Sequence, residues 1–327
     1  MMPEEERTLL DPRSLMSTNA ELFDSPALRG LDLIMGFTGA AEAGHVVEQI
    51  GDELLDELDA QLVAAFDADQ LVDYRSRRPK ITFAGDHFTD YEAPAIELYR
   101  LVDGLGTPFL LLTGPEPDYQ WDRFSGAVVW LANRLQTRLV AWVQSLPMPV
   151  PHTRPIGVTV HGSRQDLING ITTWKPQAEL QAGIGPLLEM RLAEAGRDVV
   201  GYSIHVPHYL ADAQYPPAAV AALEYLGAAT SLMLPTDRLR ENGRDVEGQI
   251  DRQVQDSADV QRVVVRLEER YDEYAGHQER RSLLVKDNEE LPDADELGAA
   301  VEAFLATQPA SGDDGGKGSS AEPGTTD

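Results

Sequence analysis

The chain has 327 residues and no cysteine, which excludes disulfides, thiolate metal sites and cysteine nucleophiles and fits a reducing, cytoplasmic setting. Asp and Glu number 55 against 27 for Lys and Arg, a formal net charge of −28 that would repel a phosphate backbone and argues against nucleic-acid binding. The same charge keeps a chain soluble and steers it toward basic protein surfaces. No apolar run approaches the roughly 20 residues of a membrane span, and the opening MMPEEERTLLDP has no basic start and apolar stretch to read as a secretory signal.

Residues 1–28 are polar and broken at Asp11-Pro12 and Ser25-Pro26, and read as an arm laid on the surface. Leu31 to Phe37 is an apolar run that predicts a buried first strand. A helix follows the Thr38-Gly39 turn, with Ala43, Val46, Val47, Ile50, Leu54 and Leu58 on one face. Gln61–Phe66 then returns as a strand, giving the strand–helix–strand unit of a parallel sheet. Residues 80–102 read as a hairpin, with Ile81-Thr82-Phe83 and Ala95–Tyr99 as its arms around a turn at Gly85-Asp86. Phe109–Thr113 predicts a central strand ending at Gly114-Pro115. Phe124, Val128, Leu131 and Leu135 mark a helix over 121–136. Strands are expected at Leu139–Leu146, Gly157–His161 and Val199–Val206, with a helix at Leu187–Ala195 before the last. Pro216-Pro217 suits the first turn of a further helix.

Beyond Pro235 the pattern turns helical throughout. Val246, Ile250 and Val254 fall four apart, and Val260, Val264, Leu267, Tyr271 and Tyr274 form a heptad-like stripe among charged residues. That stripe needs cover, either from the chain's own sheet or from a second protomer. Leu297, Val301 and Phe304 suggest one more helix, and the polar, Gly-rich residues 307–327 are expected to be disordered. The organisation read here is an N-terminal arm (1–28), an α/β core (29–235), a helical extension (236–306) and an acidic tail (307–327).

Five segments could carry chemistry, and each has a plainer structural explanation. The glycine-rich turn from Gly36 through Gly39 to Gly44 lies between strand and helix, where backbone N–H groups can meet a ligand. Its spacing is neither a dinucleotide fingerprint nor a phosphate loop, and tight turns with close helix–sheet packing ask for the same glycines. Thr113-Gly114-Pro115-Glu116-Pro117-Asp118 sits at a strand's carboxyl end, where open α/β sheets place their crevice. Glu116 and Asp118 are acid–base candidates there, although two prolines favour a rigid loop. His205 and His208 stand at i and i+3 in His205-Val206-Pro207-His208-Tyr209, but a third metal ligand is missing and Pro207 keeps the rings from having to converge. Pro151-His152-Thr153-Arg154-Pro155 and His161-Gly162-Ser163-Arg164 hold the chain's few clustered cations and could clamp an anion, although pairing of Arg with an internal carboxylate is the plainer role. Ser163 lies outside any Gly-x-Ser-x-Gly elbow. No catalytic set, metal site or cofactor follows, and the candidate binding crevice is Gly36, Gly39, Gly44, Thr113, Gly114, Glu116, Arg154, His205, His208 and Tyr209.

Taken in order, the Gly36–Gly44 turn, Leu112–Pro117, Pro151–Pro155 and His205–Leu210 before Tyr215-Pro216 resemble the proteasome assembly chaperone family of the second-subunit type, in an uncharacterised bacterial branch, over about residues 29–275. The resemblance implies a mixed, twisted sheet between helices, similar to the nucleoside-phosphorylase fold, with a C-terminal helical extension. It also implies protein binding or assembly work rather than catalysis, a homo-oligomer with a trimer as one candidate, and a further protein partner. Relatives that dock on the proteasome often end in a hydrophobic–Tyr–any tripeptide; Gly324-Thr325-Thr326-Asp327 departs from it, so tail docking is not carried over. The alternative expectation is an enzyme that binds a nucleoside or phosphate in the crevice, although a shared fold is weak warrant for shared chemistry.

Overall fold

The computed structural model describes residues 10–39, 42–169 and 179–284, with side chains as far as residue 273. A short 3-10 turn at Pro12–Leu15 leads into β1 (Met16–Thr18) and α1 (Ala20–Phe23), the latter capped by the Asn19 side chain, which accepts the Leu22 N–H. β2 (Leu33–Thr38), α2 (Val46–Glu57), β3 (Gln61–Phe66) and α3 (Ala68–Leu71) follow. Next come the small strands β4 (Thr82–Ala84) and β5 (His87–Thr89), then β6 (Glu97–Val102), β7 (Pro108–Pro115) and α4 (Trp121–Leu135). The chain continues through β8 (Val140–Met148), β9 (Val158–Gly162), α5 (Gln165–Ile168), α6 (Ile184–Glu194) and β10 (Val199–Pro207). α7 (Pro216–Thr230), α8 (Asp237–Asp256) and α9 (Ala258–Leu284) complete the described residues.

Eight strands form one mixed sheet in the order β1-β3-β6-β7-β2-β8-β10-β9. The inner strands β7, β2, β8 and β10 are parallel, while β6 and β9 run against their neighbours. The continuous apolar runs of the sequence are explained by cover on both faces. Leu33, Met35, Leu110, Leu112, Val140, Trp142 and Val199 pack on the α4 and α6 side. Ile34, Phe109, Leu111, Ala141, Val143, Val200, Tyr202 and Ile204 pack on the side of α2 and α7. Each such buried Leu, Ile or Val stabilises the fold by about 1.5–3 kcal/mol. α7 is apolar nearly all round because it lies between the sheet and α8: Ala218, Ala219, Ala222, Leu223 and Leu226 are all buried.

Three features differ from the sequence reading. β3 does run parallel to β2, but β6 and β7 are inserted between them, so the two are not neighbours. The hairpin pairs Thr82–Ala84 with His87–Thr89, and Glu97–Val102 joins the main sheet between β3 and β7 instead. The N-terminal segment is more than a surface arm: β1 extends the sheet beyond β3, and Leu15, Phe23 and Leu28 are buried in the α4-side core. Of the helical stripe, for which cover by the chain's own sheet or by a second protomer was open, Val264 and Leu267 are buried within this chain while Val260 remains 42 % exposed. Tyr271 donates its hydroxyl to the Pro155 carbonyl at 3.3 Å. The expected helix near Leu297–Phe304, the 307–327 tail and the Tyr274 side chain lie outside the described residues.

Two polar anchors hold the outer layers. Arg238 at the start of α8 reaches Glu53 (2.8 Å) and Asp56 (2.8 Å) on α2. Asp103 closes the β6–β7 turn, accepting N–H groups from Leu105 (2.9 Å), Thr107 (2.7 Å) and, across the fold, Met233 (2.8 Å). Burial alone would raise the Asp103 pKa, but those donors outweigh it and hold the carboxyl below its usual value.

Candidate functional site

The carboxyl ends of β2, β7, β8 and β10 share one edge of the sheet, and the candidate residues are distributed along it in separate groups. In the first group, Gly36 has no room for a side chain, since a Cβ would stand 2.8 Å from Val47 Cγ1. Thr113 lies opposite it in register on β7. Gly114 has φ +143°, and a Cβ there would meet the Ala95 carbonyl oxygen at 2.2 Å, so the backbone leading into β6 approaches too closely for any other residue. Gly39 lies against Glu116, whose Oε2 would be 2.7 Å from a Cβ at that position. Glu116 Oε1 accepts the Ile184 N–H at 2.7 Å, placing a carboxylate at the amino end of α6, where the helix dipole favours it. Gly39 in turn donates its N–H to Glu42 Oε2 (3.1 Å), and Glu42 Oε1 accepts the Glu48 N–H (2.8 Å). Burial pushes the Glu42 carboxyl up, against the pull of those two donors.

The second group is at the end of β10. His205 Nε2 lies 2.9 Å from Thr159 Oγ1, and its Nδ1 occupies space that a Cβ at Gly157 would fill. Burial holds its imidazole pKa below the usual value. The Tyr209 hydroxyl accepts the His152 N–H (2.8 Å) and sits 2.7 Å from His152 Nδ1, while the His208 ring meets Tyr209 edge-on at 5.4 Å. Burial raises the Tyr209 pKa. Gly44, at φ +72°, donates to the Ala211 carbonyl (2.7 Å) and accepts the Tyr215 N–H (2.9 Å), closing the turn onto this group. Arg154 is engaged separately: it forks onto Asp272 of α9 at 2.7 and 2.6 Å and reaches Glu268 at 3.2 Å. No hydrogen bond or ion pair among the described residues joins Glu116 to His205, His208, Tyr209 or Arg154. Nor do the described residues include a group of three or more His, Asp or Glu side chains placed to hold a metal ion.

Sequence reasoning missed a third cluster, on the α6 side of β8, β9 and β10. Glu189 Oε2 accepts the Trp142 Nε1–H (2.6 Å) and lies 2.7 Å from His161 Nδ1. His161 Nε2 is 3.0 Å from Ser203 Oγ, which also accepts the Gln144 amide (2.8 Å). Gly201 makes room beneath it, because a Cβ there would fall 2.2 Å from His161 Cε1 and 2.6 Å from Glu189 Oε2. A glycine inside the run Val199–Ser203 was the available signal, since such glycines mark close approach. The order carboxylate, imidazole, hydroxyl matches a nucleophile relay. Yet Ser203 is only 4 % exposed and lies inside β10 between Gln144 and Thr159 of the flanking strands, which leaves a reactant little access to its hydroxyl. The cluster fastens α6 to the sheet. A separate cleft of about 440 Å³ opens between α2, α7 and α8, lined by Asp52, Asp56, Asp245 and Arg238 with Pro216, Leu239 and Val246.

The profile of the PAC2 family matches residues 36–254, from the first glycine of the β2 turn to the last residues of α8. This chain belongs to the PAC2 family. Among solved PAC2-like structures, the Mycobacterium tuberculosis protein of unknown function Rv2714 is 43 % identical, with a TM-score of 0.78 over 82 % of this chain and 92 % of that one. A PAC2 family protein of Streptomyces avermitilis is 26 % identical, with a TM-score of 0.63 over 71 % and 99 %. The M. tuberculosis proteasome-assembly chaperone homologue Rv2125 shares the fold at 21 % identity, with a TM-score of 0.65 over 72 % and 100 %. No curated protein matches the sequence. Among the described residues of this PAC2 protein, no helix is long and apolar enough to cross a membrane.

Proposed function

We propose that this PAC2 protein is an assembly factor that works by binding other polypeptides, including copies of itself, and that it performs no bond chemistry. The observation that carries the reading is the family match across residues 36–254, in a family whose relatives include a proteasome-assembly chaperone homologue. The geometry of the strand edge supports it. Glu116 caps α6, Arg154 is held by α9 and His205 is buried against Thr159, so these side chains are engaged within the fold rather than converging on a reactant. The ten crevice residues are accordingly proposed as a scaffold that shapes this edge. A cytoplasmic setting, a phosphorylase-like sheet and a trimer belong to the same reading, as does a division into core, helical extension and tail, with the N-terminal segment joined to the core through β1. The small-molecule alternative has no observation of its own to favour it. The test is recovery of the tagged full chain from its native cells, followed by native mass spectrometry. A complex with a second polypeptide that reassembles from purified components is the expected result; recovery of this chain alone would overturn the reading.

A further inference from the structure

The two outer helices are held on the molecule in different ways. α8 is pinned along its length: Arg238 at its start pairs with Glu53 and Asp56 of α2, and Leu239, Gly243 and Ile250 are buried. α9 buries far less. Among its described side chains, residues 258–273, Val264 and Leu267 are buried, Glu268 and Tyr271 are half-buried and the rest are exposed. Ser257 alone separates the two helices, with an extended backbone (φ −132°, ψ 108°) that interrupts them. An element with few buried apolar contacts opens locally at a fraction of the cost of global unfolding. A residue at such a helix junction is where the rotation of a hinge is absorbed.

A polar seat for α9 is supplied by the loop Pro151–Pro155 between β8 and β9. Arg154 Nε and Nη2 donate to the two carboxylate oxygens of Asp272 at 2.7 and 2.6 Å, and its Nη1 reaches Glu268 Oε1 at 3.2 Å. Thr153 donates its hydroxyl to the same Glu268 oxygen, and Tyr271 donates to the Pro155 carbonyl at 3.3 Å. Val264, Leu267, Glu268, Tyr271 and Asp272 fall at i, i+3, i+4, i+7 and i+8, so one face of α9 carries both its apolar hold and its polar one. The seat itself is firm: Pro151 and Pro155 bracket it, and the Tyr209 hydroxyl beyond β10 holds both the His152 N–H and its ring. Asp272 is 54 % exposed, so salt reaches its pair with Arg154.

We propose that α9 is a strap that swings on Ser257 and is latched to the core by Arg154. Closed, it keeps Val264 and Leu267 from water; open, it leaves them and the Pro151–Pro155 loop to solvent while α8 and the sheet stay folded. Arg154 suits a latch because its planar fork takes both oxygens of one carboxylate in a fixed geometry, which the point charge of a lysine does not. The inference concerns the chain by itself and goes beyond the proposed binding role, so it is tested without a partner.

The test is amide hydrogen exchange on the full chain, read for α9 and α7 relative to the intrinsic rate of each segment. In the wild type α9 is expected to exchange faster than α7, and salt raised to about 0.5 M to speed α9 alone, since the exposed pair is then screened. Arg154→Ala should speed α9 about tenfold, leave α7 unchanged and abolish the salt effect. Arg154→Lys should speed it by less. Asp272→Asn should speed α9 as well, and Arg154→Ala/Asp272→Asn no more than Arg154→Ala, because both substitutions remove one interaction. Exchange of α9 in Arg154→Ala at the wild-type rate overturns the latch, as does additivity of the two substitutions. One common rate for α9 and α7, in the wild type or in Arg154→Ala, overturns the strap, because the two helices then open only together.

Discussion

The carboxyl edge of the sheet and the β4–β5 hairpin are opposites. Along the edge, polar groups are spent inside the fold: Glu116 on the α6 N–H, Glu42 on two backbone donors, Arg154 on Asp272. On the hairpin, Phe83 and Phe88 are 60 and 66 % exposed and pack on each other, with the charged side chains of Asp86, Asp90 and Glu92 exposed beside them. In open α/β proteins the edge is the customary place for a ligand, so the contrast moves attention from crevice to protrusion. A side chain already satisfied within the fold has little left to offer a reactant, whereas exposed apolar groups gain by being covered.

The contrast breaks most visibly at Gly114. If β6 and β7 are locked as closely as the geometry requires, Gly114→Ala costs on the order of 3–5 kcal/mol, combining strain at φ +143° with overpacking against Ala95. A urea midpoint that barely moves would show the edge to be looser than described. Next in size is Glu189→Ala, which leaves the Trp142 N–H and His161 without their acceptor. A loss of about 1–3 kcal/mol is expected, the penalty of an unsatisfied buried donor. Labelling of Ser203 by a fluorophosphonate in the wild type would contradict the structural role given to that cluster. The smallest effect is the pH dependence at His205. Its folded pKa is lowered by burial, so below about pH 6.5 the unfolded chain takes up a proton that the folded chain refuses. Stability from this residue therefore falls as pH drops through that value toward the lowered one. His205→Gln should flatten that part of the profile in a chemical-denaturation series.

The helices and inner strands were legible because apolar periodicity is a local signal. Val46–Leu54, Phe124–Leu135 and Phe109–Thr113 each carry their burial pattern in their own residues. Strand order was not, because nothing within Gln61–Phe66 or Glu97–Val102 states which distant strand it will meet; the insertion of β6 and β7 between β2 and β3 is a property of the whole sheet. The hairpin's turn at Gly85-Asp86 was read correctly and its second arm wrongly, since His87–Thr89 has little apolar alternation to announce a strand. At the site, Arg154 found the internal carboxylates that an acidic chain makes common. The Glu189–His161–Ser203 cluster draws on three elements; the sequence marked His161 only as part of a possible anion clamp, and Gly201 only as a glycine inside a strand.

Asp103 carries a practical consequence. The β6–β7 loop, with Leu105 72 % exposed, looks like a convenient place to splice in an epitope or a fluorescent protein. Yet the Asp103 carboxylate bridges that loop to Met233, 130 positions further along, just before α8 begins. Added residues between 103 and 107 would pull this latch open, so a reporter grafted there would record a loosened helical layer rather than the native protein.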